Sequence, residues 1–123
     1  MANRNFHQMK GSLDRGMVFM SGKINIASNA AVTNDTIVGA VVTKTATGVY
    51  TITLEDQYTE LKSAQVCFGA ATAVDLVAQL VSDDVVTAKT VVLRLHAGGV
   101  ATDPSAACFV YVELMLKNSS VTP

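Results

Sequence analysis

The side chains able to do chemistry are few and scattered. Of the two histidines, His7 falls in a polar N-terminal stretch and His96 closes a strand-like run, with no metal-ligand spacing between them. Cys67 and Cys108 stand alone. Neither belongs to a C-x-x-C pair, so both are expected to be free, buried thiols packed as small apolar groups. A serine nucleophile needs an elbow such as G-x-S-x-G, and a phosphate cradle needs G-x-x-x-x-G-K-[ST]; the chain contains neither. The acid pairs Glu55–Asp56 and Asp83–Asp84 have the chemistry for acid–base work or for a hard cation. Neither carries a D-x-D-x-D-G pattern, and adjacent acids in turns are ordinarily solvated. Asp103, before Pro104, reads as a turn former by the same logic. These residues predict no enzyme, no metal and no cofactor.

Composition explains what the chain is built for instead. It has 123 residues, enough for one domain with a real core. Half are hydrophobic and only 15% are charged, against roughly 25% in a typical soluble domain. Val (18), Ala (16) and Thr (13) dominate. Val and Thr are β-branched and suit a pleated surface. So low a charge insulates a surface poorly against association, and burial of that surface by other chains is expected. No apolar run approaches the roughly 18 residues of a membrane-spanning helix. The N-terminus, "MANRNFHQMKGSLDRG", is too polar for a secretory signal, so use without export is expected, with no membrane partner.

Charge is unevenly placed. Residues 1–23 carry a net +3 and residues 24–123 a net −4. This asymmetry could steer the N-terminal stretch onto an acidic neighbour. The body has no dense basic stripe with stacking aromatics, so no nucleic-acid partner is expected. Residues 1–16 show neither helical nor strand period and are broken by Asn, Ser and Gly. They are expected to form an extended arm ahead of a body at 17–123. Phe6, Met9 and Leu13 are spaced apolar anchors within it, and Val18 and Phe19 follow.

The elements that must position these groups read as strands. In "MVFMSGKINIAS" (17–28), Val18, Met20, Ile24 and Ile26 share one face; Phe19, Ser21, Lys23 and Asn25 share the other. Gly22 is a candidate bulge. Residues 28–36 read as a loop. Residues 37–43 and 49–54 make a hairpin through "KTATG", with Gly48 free to take positive φ and Tyr50, Ile52 and Leu54 facing in. A turn around 57–62 leads to a short strand at 64–68. Residues 74–81 are open to a helical reading, but their valines favour strand. Asp83–Asp84 read as a turn, 90–96 as a strand and 98–106 as a loop. The last strand, "CFVYVELMLKN", puts Val110, Val112, Leu114 and Leu116 on one face, with Phe109, Tyr111, Glu113, Met115 and Lys117 on the other. That second face is half apolar, so a neighbour is expected to cover part of it. Several short strands with frequent turns predict an all-β, single-domain antiparallel sandwich or jelly-roll-like body.

Two stretches, "TKTATGVYTITLEDQYTELKSAQVCF" and "GVATDPSAACFVYVELMLKNSSV", resemble small virion structural proteins of tailed bacteriophages. The resembling features are a T-G-x-Y-x-[IV]-x-[LF] hairpin at 47–54 and a final strand running into a polar L-K-N-S-S segment at 116–120. The resemblance spans residues 37–120. It implies a virion protein made in the bacterial host cytoplasm and commonly a homotrimer. One such group is the capsid cement or decoration proteins, which sit on the outer capsid surface and bridge major capsid protein subunits. The other comprises head-fibre or tail components, which bind receptors or glycans. No functional residue carries over from the family. For a cement protein the capsid-docking residues expected are Phe6, Met9, Leu13, Val18 and Phe19, each contributing roughly 1–3 kcal/mol if fully buried. A glycan binder would need an aromatic platform. There is no Trp, and Tyr50 and Tyr111 both fall inside strand patterns.

Overall fold

Side chains branched at Cβ resist helix and fit the pleat of a sheet. The computed structural model describes residues 17–72 and 74–117. Among them are nine strands and no helix: β1 (Met17–Ile26), β2 (Val32–Asp35), β3 (Ala40–Ala46), β4 (Val49–Leu54), β5 (Glu60–Ala70), β6 (Val77–Asp84), β7 (Thr90–Ala97), β8 (Val100–Ala101) and β9 (Cys108–Lys117). The expected arm at 1–16, with Phe6, Met9 and Leu13, lies outside the described residues.

The strands form two antiparallel sheets packed together as a β-sandwich. One runs β2-β1-β9-β5; the other runs β3-β4-β7-β6, with β8 paired to β7. The β1–β2, β3–β4 and β6–β7 connections are hairpins within a sheet. β9 lies inside the first sheet and pairs β1 from Met17↔Lys117 to Ile26↔Cys108. On its other side it pairs β5 from Glu60↔Lys117 to Ala70↔Cys108.

Two-residue alternation fills the interior. Ile24, Ile26, Val110, Leu114 and Leu116 of the first sheet share one core with Tyr50, Ile52, Leu54, Val91, Leu93 and Leu95 of the second. Fully burying such a side chain contributes roughly 1.5–3 kcal/mol. The one polar atom that Tyr50 takes into this core is satisfied: its hydroxyl donates to the Ala30 carbonyl at 2.7 Å. Gly48 takes φ +68 at the β3–β4 turn, as that turn requires. Its N–H donates to Asp103 Oδ1 at 2.7 Å, and Lys44 Nζ lies 3.4 Å from the same oxygen. The turn-forming Asp103 thus ties the β8–β9 loop to the β3–β4 hairpin.

Several boundaries differ from the sequence reading, each for a local reason. Residues 28–36 contain β2, which folds back on the end of β1. Gly22 is no bulge, because the β1–β9 register runs through it unshifted. The irregularity lies at Asn25/Ile26, opposite β2. Gly22 is instead where Ile37 crosses: a Cβ there would stand 2.8 Å from Ile37 Cα. Ile37 therefore leaves the strand path, and β3 begins at Ala40 rather than at 37. β5 is longer than the expected 64–68 because β9 offers it partners along its whole length. β6 is shifted from the expected 74–81, and Asp83 and Asp84 end this strand rather than forming the turn. The turn follows them, with Asp84 Oδ1 accepting from the Thr87 N–H at 3.0 Å. Lys117, expected on the outer face, is buried. It is flanked by Met17 and Glu60, and its carbonyl accepts from the Thr59 N–H at 2.8 Å.

The long edge strands are broken where a second chain would otherwise add. β5 has a register irregularity between Leu61 and Ser63, and β6 has one between Leu80 and Ser82. Charged Glu60, Lys62, Asp83 and Asp84 sit beside them. Bulges and charges of this kind discourage edge-to-edge pairing.

Candidate functional site

Among the described residues, no group of three or more His, Cys, Asp or Glu side chains is placed to hold a metal ion. Cys108 is buried and its thiol pKa is raised by that burial. Cys67, expected to be buried too, is exposed. It lies on the solvent side of edge strand β5, whereas Cys108 is on the core side of β9. Tyr50 is held neutral far above physiological pH. Burial, then Asp103 and Cys108, pushes its pKa from 10.0 up to about 12. The Tyr58 hydroxyl is also raised, by burial and then by Asp56 and Glu55. These shifts belong to packing and turn structure; they do not converge on one cavity.

The residues that do converge lie on the outer face of the first sheet. The register sets them in rows across β1, β9 and β5: Phe19–Met115–Ser63, Ser21–Glu113–Gln65, Lys23–Tyr111–Cys67 and Asn25–Phe109–Gly69. Phe19 is 59% exposed and Tyr111 50% exposed. The Phe109 and Tyr111 rings meet edge to face, with centroids 5.5 Å apart and planes at 76°. Phe109 lies over Gly69, where any side chain would collide with the ring. Lys23 Nζ stands 4.4 Å from the Phe109 centroid and 5.7 Å from that of Tyr111. A cation held over ring faces keeps its charge but surrenders part of its water shell. A groove of about 430 Å³ runs between Lys23, Tyr111, Cys67, Gln65 and Glu113. Among the described residues, neither Lys23 nor Glu113 has an ion-pair partner.

Alternation separates the two expected docking residues that the structure describes. Val18 packs against the core from the inner side of β1, while Phe19 points the other way into solvent. Only Phe19 is free to touch another molecule. Lys23, Cys67, Phe109, Tyr111 and Glu113 join it on this face. The half-apolar outer face of the last strand was readable from alternation. Its alignment with β1 and β5 was not, because register between strands far apart in sequence leaves no local signal.

The outer face of the second sheet is plainer. Val41 is exposed there opposite Thr53, and Val77 is exposed opposite His96 at the far corner. Arg94 Nη2 donates to Gln79 Oε1 at 2.9 Å across β7 and β6. Arg94 Nε and His96 Nδ1 are buried atoms with no hydrogen-bond partner among the described residues.

Compared with known proteins, the chain matches no family model, no curated protein and no solved structure.

Proposed function

We propose that this chain is a structural virion protein of the cement or decoration type. It binds the outer capsid surface and stabilises contacts between major capsid protein subunits, with its copies assembled as a homotrimer. The observation that carries this reading is the pairing of a sandwich core with a half-apolar outer face that exposes aromatic rings. Phe19 and Tyr111 are half or more exposed at the surface of a sheet whose other side is a complete core. Such a surface gains free energy by being covered. A protein bound across a capsid seam adds its binding free energy to the cost of opening that seam, and several linked copies multiply engagement. The resemblance of residues 37–120 to virion proteins supplies the partner.

Imaging purified particles tests the proposal. Density for this sandwich is expected on the outer shell, touching more than one capsid subunit. Particles lacking the protein are expected to lose their DNA at lower temperature. A second arm of the experiment removes residues 1–16. The truncated protein is expected to stay folded and to lose capsid binding, since Phe6, Met9 and Leu13 go with it. Normal binding by the truncated protein would exclude a docking arm, and absence of the chain from particles would exclude the virion reading.

One observation favours a second reading, a glycan- or receptor-binding head-fibre or tail component. The exposed Tyr111 ring stands against the half-buried Phe109 with a groove beside it, and an exposed ring is the platform that a sugar would need. Tyr111 supplies it despite sitting within a strand, because the strand's outer side is uncovered. A glycan array gives hits on this reading and none on the first.

A further inference from the structure

We propose that the outer face of the first sheet is a contact between two copies of this chain, related by a twofold axis. The argument rests on the face alone; within the virion reading it makes this face the contact that covers Phe19 and Tyr111 between copies and leaves the capsid contact to the rest of the surface.

The occupant is identified by charge. The middle of the face presents Lys23 and Glu113, neither with an ion-pair partner among the described residues. Its other charges, Glu60, Lys62 and Lys117, gather at one end of β5 and β9, where Lys62 lies 3.5 Å from Glu60. The centre of the face, otherwise aromatic, thiol or uncharged polar, is electrically complementary to itself. In a twofold contact every meeting happens twice, so Lys23 of each copy can meet the second copy's Glu113. Lys23 sits opposite Tyr111, one row of outward residues from Glu113. The offset is roughly 6.7 Å along the strands and about 4.8 Å across them. A twofold axis in the interface plane that exchanges these two positions crosses the two sets of strands at about 70°, near the orthogonal class of sheet packing. The same axis passes close to Tyr111 and Cys67, so each of these faces its own equivalent in the second copy. Tyr111 and Phe19 supply the apolar area, and the groove beside Tyr111 admits the opposing ring. The irregularities in β5 and β6 disfavour addition of a second copy at those two edges.

The test uses the full chain. Sedimentation equilibrium is expected to give an even multiple of the 12.9 kDa chain mass, twice it for a dimer and six times it where two homotrimers meet through this face. Glu113→Lys puts Lys23 against a like charge and is expected to weaken the association about tenfold or more. Combining it with Lys23→Glu restores the opposite pairing and is expected to restore the association. This rescue separates lost contact from lost fold. As an independent readout, a short bismaleimide is expected to link two copies through Cys67, the exposed thiol, and Cys67→Ser is expected to abolish the link. A monomer at all accessible concentrations overturns the proposal. So does a plain trimer, in which no twofold contact exists, and so does an even-numbered assembly whose affinity is indifferent to Glu113→Lys.

Discussion

Tyr50 crosses from one sheet to the other with a single polar contact. Its ring is fully buried and its hydroxyl donates to Ala30, a residue held at φ +70 in the β1–β2 turn. Replacing it with Phe keeps the ring but leaves a buried carbonyl unpaired, which costs roughly 1–3 kcal/mol. The same hydroxyl makes stability depend on pH. Its folded pKa of about 12 lies above the ordinary value of 10.0, so the folded state favours the protonated form. Its contribution is complete below pH 10 and disappears as pH rises toward 12, at up to about 1.4 kcal/mol per pH unit. Tyr58 and Cys108 shift in the same direction and add to the alkaline loss. Urea midpoints measured between pH 8 and pH 11.5 should fall steeply in the native protein and less steeply in Tyr50→Phe. Equal slopes would show that Tyr50 contributes nothing to the alkaline transition. The inward direction of Tyr50 was legible from the Tyr50–Ile52–Leu54 alternation. Its partner was not, because Ala30 is apolar by type and offers only its backbone.

The behaviour of β1 is governed by its one missing side chain. Gly22 sits on the inner side of the strand, between Met20 and Ile24, where alternation calls for an apolar residue. Ile37 fills that place from the loop after β2, with its Cγ1 only 2.6 Å from where a Cβ on Gly22 would lie. Gly22→Ala therefore overpacks the core, and such insertions typically cost 1–3 kcal/mol. The expected signature is a lower denaturant midpoint with an unchanged slope. An unchanged midpoint would mean that the Ile37 crossing gives way without strain. At this scale the strands themselves were largely readable: β1, β4, β7 and β9 all carry two-residue alternation of strong contrast. β2 was missed because "VTND" is short and polar. The ends of β3, β5 and β6 were displaced because their limits depend on a partner strand or on a crossing loop, neither of which is local. The candidate face follows the same rule. Its residues were visible as outward positions one strand at a time, and only the pairing of β1, β9 and β5 gathers them.

The molecule as a whole closes with its last strand. β9 separates β1 from β5, so the first sheet cannot assemble until residues 108–117 are in place between strands drawn from the start and the middle of the chain. The half of the core contributed by β1 would otherwise face water: Ile24 and Ile26 have Val110 and Cys108 as neighbours across the strand pair. The second sheet is less demanding, since its β3–β4 and β6–β7 hairpins are local, but β4 must still find β7 across the whole of β5 and β6. Sandwiches dominated by such distant pairings fold in milliseconds to seconds, because loop closure must precede the contacts that reward it. Refolding from urea is accordingly expected in that range, with burial of Tyr50 and formation of β structure proceeding together. A chain ended before Cys108 is expected to remain unfolded, although it retains both hairpins of the second sheet. If that shortened chain instead showed a cooperative thermal transition, the second sheet would be an independent folding unit, and β9 would only dock a preformed half rather than complete a single core.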